Sequence, residues 1–190
     1  GTSTAYSGDM SYAGGTAYQE ENYNVVKSTD NQSSTQNYSI IYRGITANSS
    51  TVSETSKSKL KKLMDATGDY SIVITSTSRS PYDQARIMYE NISNTSVSAQ
   101  KKIYGSTGDQ VIDAYNPKLT REENISAMES KIRDIGASKV SKHCADPSVK
   151  NVLDISASSI DDPKKFEEEL TNAGIYYLKE NGCYHLEIDQ

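Results

Sequence analysis

The sequence contains no tryptophan, one phenylalanine, two histidines and two cysteines among its 190 residues. Tyrosine, present 14 times, must therefore supply most of the aromatic packing of any core. Two cysteines are too few for a disulfide framework, and the separation of Cys144 from Cys183 does not match the CxxC pairs of zinc fingers or redox motifs. Because each cysteine flanks a histidine, three roles stay open: burial as small hydrophobic residues, a disulfide beside a site, or direct metal ligation.

Charge and hydropathy argue against two classes of partner. The formal net charge is −5, and no segment concentrates Lys or Arg, so we expect no binding to nucleic acid. No run of about 18 apolar residues occurs, so we expect no membrane span. Hydrophobic residues make up 35% of the chain, which at this length favours a single core with a large polar surface.

The composition divides the chain into two parts. Residues 1–36 are dominated by Gly, Ser, Thr, Asn and spaced Tyr, a mixture that buries too little apolar surface to offset the entropy of chain ordering. We interpret them as a low-complexity arm or linker that packs on the domain or on a neighbour, and that could join the protein to a larger assembly. Residues 37–190 are predicted to form the ordered domain.

Hydrophobic periodicity and capping residues predict the elements of this domain. The predicted strands begin at Tyr38 and lie at 70–75, 151–156, 175–178 and 183–188. The predicted helices lie at 55–66, from Pro81 onward, from the Thr120 cap to Ile135, and from Pro163 to Gly174. The last two strands, joined by a glycine-containing turn, form a hairpin. Early helices and late strands predict an α+β fold with a small antiparallel sheet flanked by helices.

The two histidines give the sharpest functional signal. His143 comes just before a predicted strand, and His185 lies within the last one. Asp154 interrupts the apolar letters of NVLDI, and a buried carboxylate costs roughly several kcal/mol unless it is hydrogen-bonded or bound to a metal. Two imidazoles and one carboxylate are the ligand set of a catalytic zinc site, with the fourth position left for water. We predict that His143, Asp154 and His185 bind Zn²⁺.

The spacing of these residues resembles a known family. The segment SKH, a following Asp-Ile strand and a late aromatic-His strand are similar to the metallopeptidases that include the vancomycin-resistance D,D-dipeptidases and D,D-carboxypeptidases, and more distantly lysostaphin and the hedgehog signalling domain. Ser141, His143, Asp154 and His185 occupy the positions of that pattern. The resemblance implies a hedgehog-like or D,D-peptidase-like fold in which a small antiparallel sheet carries the zinc site.

A second segment, ITSTSRSPYDQARIM at residues 74–88, resembles the same family. Arg79 matches a family arginine, and a guanidinium can bind a substrate carboxylate through two parallel hydrogen bonds or stabilise a developing oxyanion. The resemblance also implies a set of residues that contact the substrate, namely Ser76, Gln84, Ser141 and Tyr184.

The sequence departs from the family pattern in two places. Ten residues separate His143 from Asp154, more than in the family, so CADPSVKNVL is expected to form a longer loop in which Asp146 competes as a ligand. Gly182 stands where the family has its general base. Glu180 lies in the hairpin turn, and Glu187, two residues after His185, shares the face of that histidine. Either could be the base, and Glu180 is slightly favoured.

The resemblance implies a zinc peptidase that hydrolyses peptides of bacterial peptidoglycan, as a D,D-carboxypeptidase or an endopeptidase. An extracellular, periplasmic or virion-associated location would follow. Two other classes stay open. One is an inactive member of the fold that binds cell wall or protein, favoured by Gly182. The other is a structural or assembly protein that makes its contacts through the tyrosine-rich arm.

Overall fold

A computed structural model describes residues 18–190 of the chain. Within this part the protein is an α+β structure with one mixed sheet of six strands and seven α-helices. The α+β class predicted from the sequence is therefore confirmed. Residues 1–17 of the predicted arm lie outside the described residues, and no helix of the described part is both long and apolar enough to cross a membrane.

The sheet has the strand order β1-β2-β3-β4-β6-β5. Its strands are β1 Tyr18–Thr29, β2 Gln32–Thr46, β3 Ser71–Ser76, β4 Lys150–Ser156, β5 Tyr176–Glu180 and β6 Cys183–Asp189. The pair β2–β3 is parallel, whereas every other neighbouring pair is antiparallel. The predicted purely antiparallel sheet is thus wrong in one pair. The reason is a helix between β2 and β3, which returns the chain to the end of the sheet where β2 began.

The four longest helices, each of which begins at a capping residue, were predicted from the sequence. Their bounds are α1 Glu54–Thr67, α2 Pro81–Asn94, α3 Val97–Lys101, α4 Ser106–Ile112, α5 Arg121–Ile135, α6 Ala137–Val140 and α7 Pro163–Asn172. The side chains that cap the four longest helices each accept a backbone N–H, which satisfies a donor that the first turn leaves without a partner; they are Ser53, Ser80, Thr120 and Asp162. The short helices α3, α4 and α6 were not predicted.

Part of the predicted arm belongs to the sheet. Residues 18–36 form β1 and the start of β2. All of β1 pairs with β2, and a tight turn at Asp30 and Asn31, where φ is 41° and 71°, joins the two strands. The Tyr23 ring stacks on the Tyr38 ring with centroids 5.0 Å apart. The division predicted at residue 36 therefore falls inside β2, because strand pairing supplies the backbone hydrogen bonds that the local composition does not reveal.

Two hydrophobic clusters make the core. The first packs one face of the sheet against α1 and α7, and the second joins α2, α4, α5 and α6. Strand alternation in β4 and β6 directs Leu153, Ile155, Tyr184 and Leu186 into the first cluster. The residues between them, Asp154 and His185, are therefore directed to the opposite face of the sheet.

Candidate metal centre

Three elements bring the predicted ligands together. Asp154 on β4 lies directly opposite His185 on β6 in the antiparallel ladder. His143 lies in a 3-10 turn, Lys142–Cys144, that precedes β4. The Ser141 side chain begins this turn by accepting the His143 backbone N–H at 3.2 Å. Ser141, predicted to contact substrate, is fully buried and contacts the His143 backbone through its hydroxyl.

The Asp154 carboxylate contacts both imidazoles. Its Oδ2 lies 3.0 Å from His143 Nε2, and its Oδ1 lies 3.1 Å from His185 Nδ1. The two rings are nearly perpendicular, with centroids 5.3 Å apart. His143 and His185 are 0% exposed and Asp154 is 1% exposed. One atom from each residue lies within 4.8 Å of the other two, so the group could hold a metal ion.

The hydrogen-bond partners of His143 call for positive charge between its ring and Asp154. Its Nδ1 lies 3.0 Å from the Thr77 carbonyl oxygen, which can only accept, so Nδ1 carries a proton. The neutral ring then directs the lone pair of Nε2 at the Asp154 carboxylate, which is also an acceptor. Such a contact is repulsive unless the ring is doubly protonated or a cation lies between the two atoms. Either arrangement puts positive charge against the carboxylate, and a metal ion would use the same two lone pairs as ligands.

The Asp154 carboxyl is held in its charged form. Burial by itself raises the pKa of this carboxyl, but the charges and hydrogen bonds of His143 and His185 outweigh burial and lower the pKa to about 2. An ionised carboxylate with two imidazole nitrogens is the oxygen-and-nitrogen donor set that zinc and related divalent ions accept. The chemistry of the site therefore fits a metal ion.

Asp146, the competing ligand considered from the sequence, lies outside this group. Its side chain is exposed and accepts hydrogen bonds from the backbone N–H and the hydroxyl of Ser148, at 2.9 and 2.8 Å. The Asp146 carbonyl also accepts the N–H groups of Val149 and Lys150. Asp146 thus shapes the long loop before β4.

The two cysteines form no disulfide in the described part of the chain, and neither belongs to the candidate metal group. The Cys183 sulfur lies 3.7 Å from the Thr75 hydroxyl. Burial, and then the charge of Asp154, raise the pKa of the Cys183 thiol. A thiol that is harder to ionise is a poorer metal ligand, since the thiolate is the form that binds. The disulfide left open from the sequence is therefore absent from the described residues, and the candidate metal group contains no sulfur ligand.

Arg79 is buried beside the centre and contacts two other predicted residues. Its Nη1 donates to Gln84 Oε1 at 3.0 Å, and its Nη2 donates to Ser76 Oγ at 2.7 Å. Ser76 lies opposite Asp154 in the β3–β4 ladder. Ser76 and Gln84 are both fully buried, and Arg79 is 4% exposed. The three residues of the second segment therefore form one hydrogen-bonded cluster, in which Ser76 and Gln84 hold the guanidinium.

A cleft of about 770 Å³ lies next to these residues. Arg79 and Cys144, the residue after His143, both contribute to its lining. Hydroxyl and amide side chains form much of the rest, among them Ser50, Thr51, Ser53, Ser78, Ser80, Ser148 and Asn151. The long loop before β4 contributes one wall through residues 144–148. The cleft thus gives Arg79 a route to solvent.

The other predicted site residues fall in three different places. Tyr184 lies in the core on the far side of the sheet, with its ring centroid 4.9 Å from that of Phe166. Glu180 ends β5 opposite Cys183, so it lies on the sheet face of His185. The Glu187 carboxylate lies 3.5 Å from His185 Nε2.

Some contacts of the centre have no signature in the sequence. The Thr77 carbonyl that faces His143 is a backbone group, and any residue at that position would supply it. Lys142 and Lys150 both approach Glu187, at 3.9 and 3.6 Å, although their positions in the sequence resemble those of ordinary surface lysines.

The chain matches no protein-family model, and no curated protein or solved structure is significantly similar to it. The fold and the candidate metal centre therefore define the structural class of the protein and no family. It is an α+β protein with a mixed sheet and a buried His-Asp-His group able to hold a metal ion.

Proposed function

We propose that the protein is a zinc-dependent peptidase that hydrolyses peptide bonds of bacterial peptidoglycan, as a D,D-carboxypeptidase or an endopeptidase. The observation that carries the proposal is the arrangement of His143, Asp154 and His185, in which each ring directs one nitrogen at the shared carboxylate and the other at an outer acceptor. Metal-binding histidines commonly have such outer partners, which fix the ring and its tautomer.

Zinc bound to this group would act as a Lewis acid and lower the pKa of a bound water to about 7. Glu180 takes the proton of the attacking water and returns it to the leaving amine. Its position on the His185 face of the hairpin supports this role. Arg79, held by Ser76 and Gln84 at the edge of the cleft, stabilises the negative charge that develops on the carbonyl oxygen.

The choice of substrate rests on the resemblance of the two segments to the D,D-peptidase family. The cleft supports it in one respect, since its hydroxyl and amide side chains suit the polar backbone of a peptide. A peptidase of this type would work outside the cytoplasm, in the cell envelope or on a virion.

A non-catalytic metal-binding module is the second candidate function. Two observations favour it. Gly182 occupies the position of the usual base, and the three ligands are almost completely buried. On this alternative the metal would stabilise the fold while the cleft binds cell-wall peptide. A structural protein that makes no use of the centre would contain no stoichiometric zinc.

Digestion of purified peptidoglycan tests the proposal. Zinc-loaded wild-type protein should release new amino or carboxyl termini, and Glu180→Gln should abolish the release while keeping its zinc. Glu168→Gln, an exposed change on α7, is the matched control and should behave as wild type. Bound zinc without new termini from any cell wall would contradict the peptidase and leave the binding module. A wild-type protein that binds no zinc would contradict both.

A further inference from the structure

We infer that Glu187 is a positioning residue for His185, which holds the Nε2–H of that ring and so directs Nδ1 at the metal ion. Glu187 and Glu180 were both candidates for the general base, and the geometry gives them different roles. The inference rests on the metal centre of the proposed function, but its test can fail independently of that function.

Strand geometry places Glu187 against His185. The two residues are separated by one position on β6, so their side chains lie on the same face of the sheet. Glu187 Oε2 lies 3.5 Å from His185 Nε2, and the Glu187 side chain is only 10% exposed. His185 Nε2 is buried and makes no hydrogen bond with any described residue, so no other acceptor competes with Glu187 for it. A small movement of the ring would close the 3.5 Å contact to a hydrogen bond.

The same geometry argues against Glu187 as the base. His185 Nδ1 faces Asp154 at 3.1 Å, so a metal ion held by both residues would lie on that side of the ring. Glu187 contacts Nε2, on the other side. A carboxylate in that position is separated by the imidazole from the water that a base must deprotonate.

Two lysines form ion pairs with the Glu187 carboxylate. Lys142 Nζ lies 3.9 Å from Oε2, and Lys150 Nζ lies 3.6 Å from Oε1. Lys142 directly precedes His143, and Lys150 begins β4, the strand of Asp154. Glu187 and its two lysines therefore connect the segments that carry all three predicted ligands.

The two histidines are thereby held in opposite orientations. His143 donates Nδ1–H to the Thr77 carbonyl and presents Nε2 to Asp154. His185 directs Nε2 at Glu187 and presents Nδ1 to Asp154. An outer carboxylate raises the basicity of a ligating imidazole, and loss of such a partner typically weakens metal binding about 10- to 100-fold.

The test measures zinc affinity and the solvent exchange of the His185 Nε2–H proton. Competition with a chromophoric chelator should show that Glu187→Ala binds zinc about 10- to 100-fold more weakly than wild type. Glu187→Gln keeps an oxygen acceptor and should recover most of the affinity. In ¹H–¹⁵N NMR spectra of the zinc-loaded protein, the Nε2–H proton of His185 should exchange slowly with solvent in wild type and in Glu187→Gln, which both supply an oxygen acceptor. In Glu187→Ala this proton should exchange faster.

Failure of this inference can be distinguished from failure of the proposed function. Wild-type zinc affinity and an unchanged exchange rate of the Nε2 proton in Glu187→Ala would overturn the positioning role, even for an active zinc peptidase. Loss of hydrolysis in Glu187→Gln with unchanged affinity would also overturn it, because a base behaves in that way. If Glu187→Ala fails to fold, Glu187→Gln still decides, since a loss of zinc affinity or fast exchange of the Nε2 proton in that variant would overturn the positioning role. A wild-type protein that binds no zinc would contradict the inference together with the metal centre.

Discussion

The backbone N–H of Arg79 donates a hydrogen bond of 2.8 Å to the carbonyl oxygen of His143. This bond joins the loop after β3 to the turn before β4, two segments that are distant in the sequence. It fixes the backbone that carries Arg79 relative to the backbone that carries His143, one of the three residues of the candidate metal centre.

Replacement of Arg79 by lysine should separate catalysis from metal binding. Lysine keeps the charge but cannot donate to Ser76 and Gln84 with the planar fork of arginine. We expect zinc content to stay at the wild-type level and kcat/KM to fall by about 10²- to 10³-fold, the usual loss for one oxyanion donor. Arg133→Lys, an exposed change on α5, should leave both quantities unchanged. Loss of zinc in Arg79→Lys would show that the arginine serves the structure of the centre instead.

Zinc should stabilise the protein through Asp154 and not through Asp146. At a free concentration 100 times its Kd, zinc should raise the free energy of unfolding by about 2.7 kcal/mol, which is visible as a higher Tm. Asp154→Asn should remove this increase, because it deletes the carboxylate that both imidazoles face. Asp146→Asn, in the exposed loop, should keep it. The reverse result would mean that the long loop supplies the third ligand.

The acid stability of the metal-free protein should depend on Asp154. Its folded pKa of about 2 lies below the usual 3.8, so this group stabilises the fold at pH values above 3.8 and stops doing so as the pH falls through 2. The shift corresponds to roughly 2 kcal/mol. Urea titrations between about pH 4 and about pH 2 should therefore show a smaller loss of unfolding free energy in Asp154→Asn than in wild type. Parallel curves for the two proteins would contradict the lowered pKa.

Local signals allowed the four longest helices and the candidate metal group to be predicted. A cap such as Ser80 with Pro81 specifies a helix start within a few residues, and α2 begins there. The two histidines and Asp154 could be singled out because histidine is scarce in this chain and because a carboxylate is unusual in an apolar strand. Both signals lie in the residues themselves.

Features that depend on distant partners could not be predicted. The pairing of β1 with β2 is not visible in the composition of residues 18–36, and neither is the parallel pairing of β2 with β3. The choice between Glu180 and Glu187 depends on which side of the His185 ring each one occupies. Sequence spacing places both near His185. Only the contacts of the ring show that Glu187 lies at Nε2, whereas Asp154 lies at Nδ1.

The hairpin of β1 and β2 should contribute to stability through Tyr23. Its ring stacks on Tyr38, and its hydroxyl contacts the Met64 sulfur on α1 at 3.6 Å. We expect Tyr23→Ala to lower the free energy of unfolding by about 1 to 3 kcal/mol, measured by urea denaturation. Val26→Ala, on the same strand but 67% exposed, should change it by less than about 0.5 kcal/mol. Equal stability of the two variants would mean that the hairpin is a loosely attached arm, as the composition suggested.

The position of Tyr184 favours a role in the core over a contact with substrate. The family resemblance implies that it contacts substrate, whereas the structure packs its ring against Phe166 and Tyr177 on the far side of the sheet. Tyr184→Phe keeps this packing, so we expect an unchanged KM and nearly unchanged stability. Phe166→Ala should lower the free energy of unfolding by about 3 to 5 kcal/mol, because it leaves a cavity beneath the same ring. A raised KM in Tyr184→Phe, with stability intact, would mean that the tyrosine hydroxyl reaches the substrate and that β6 is rotated relative to the orientation described above.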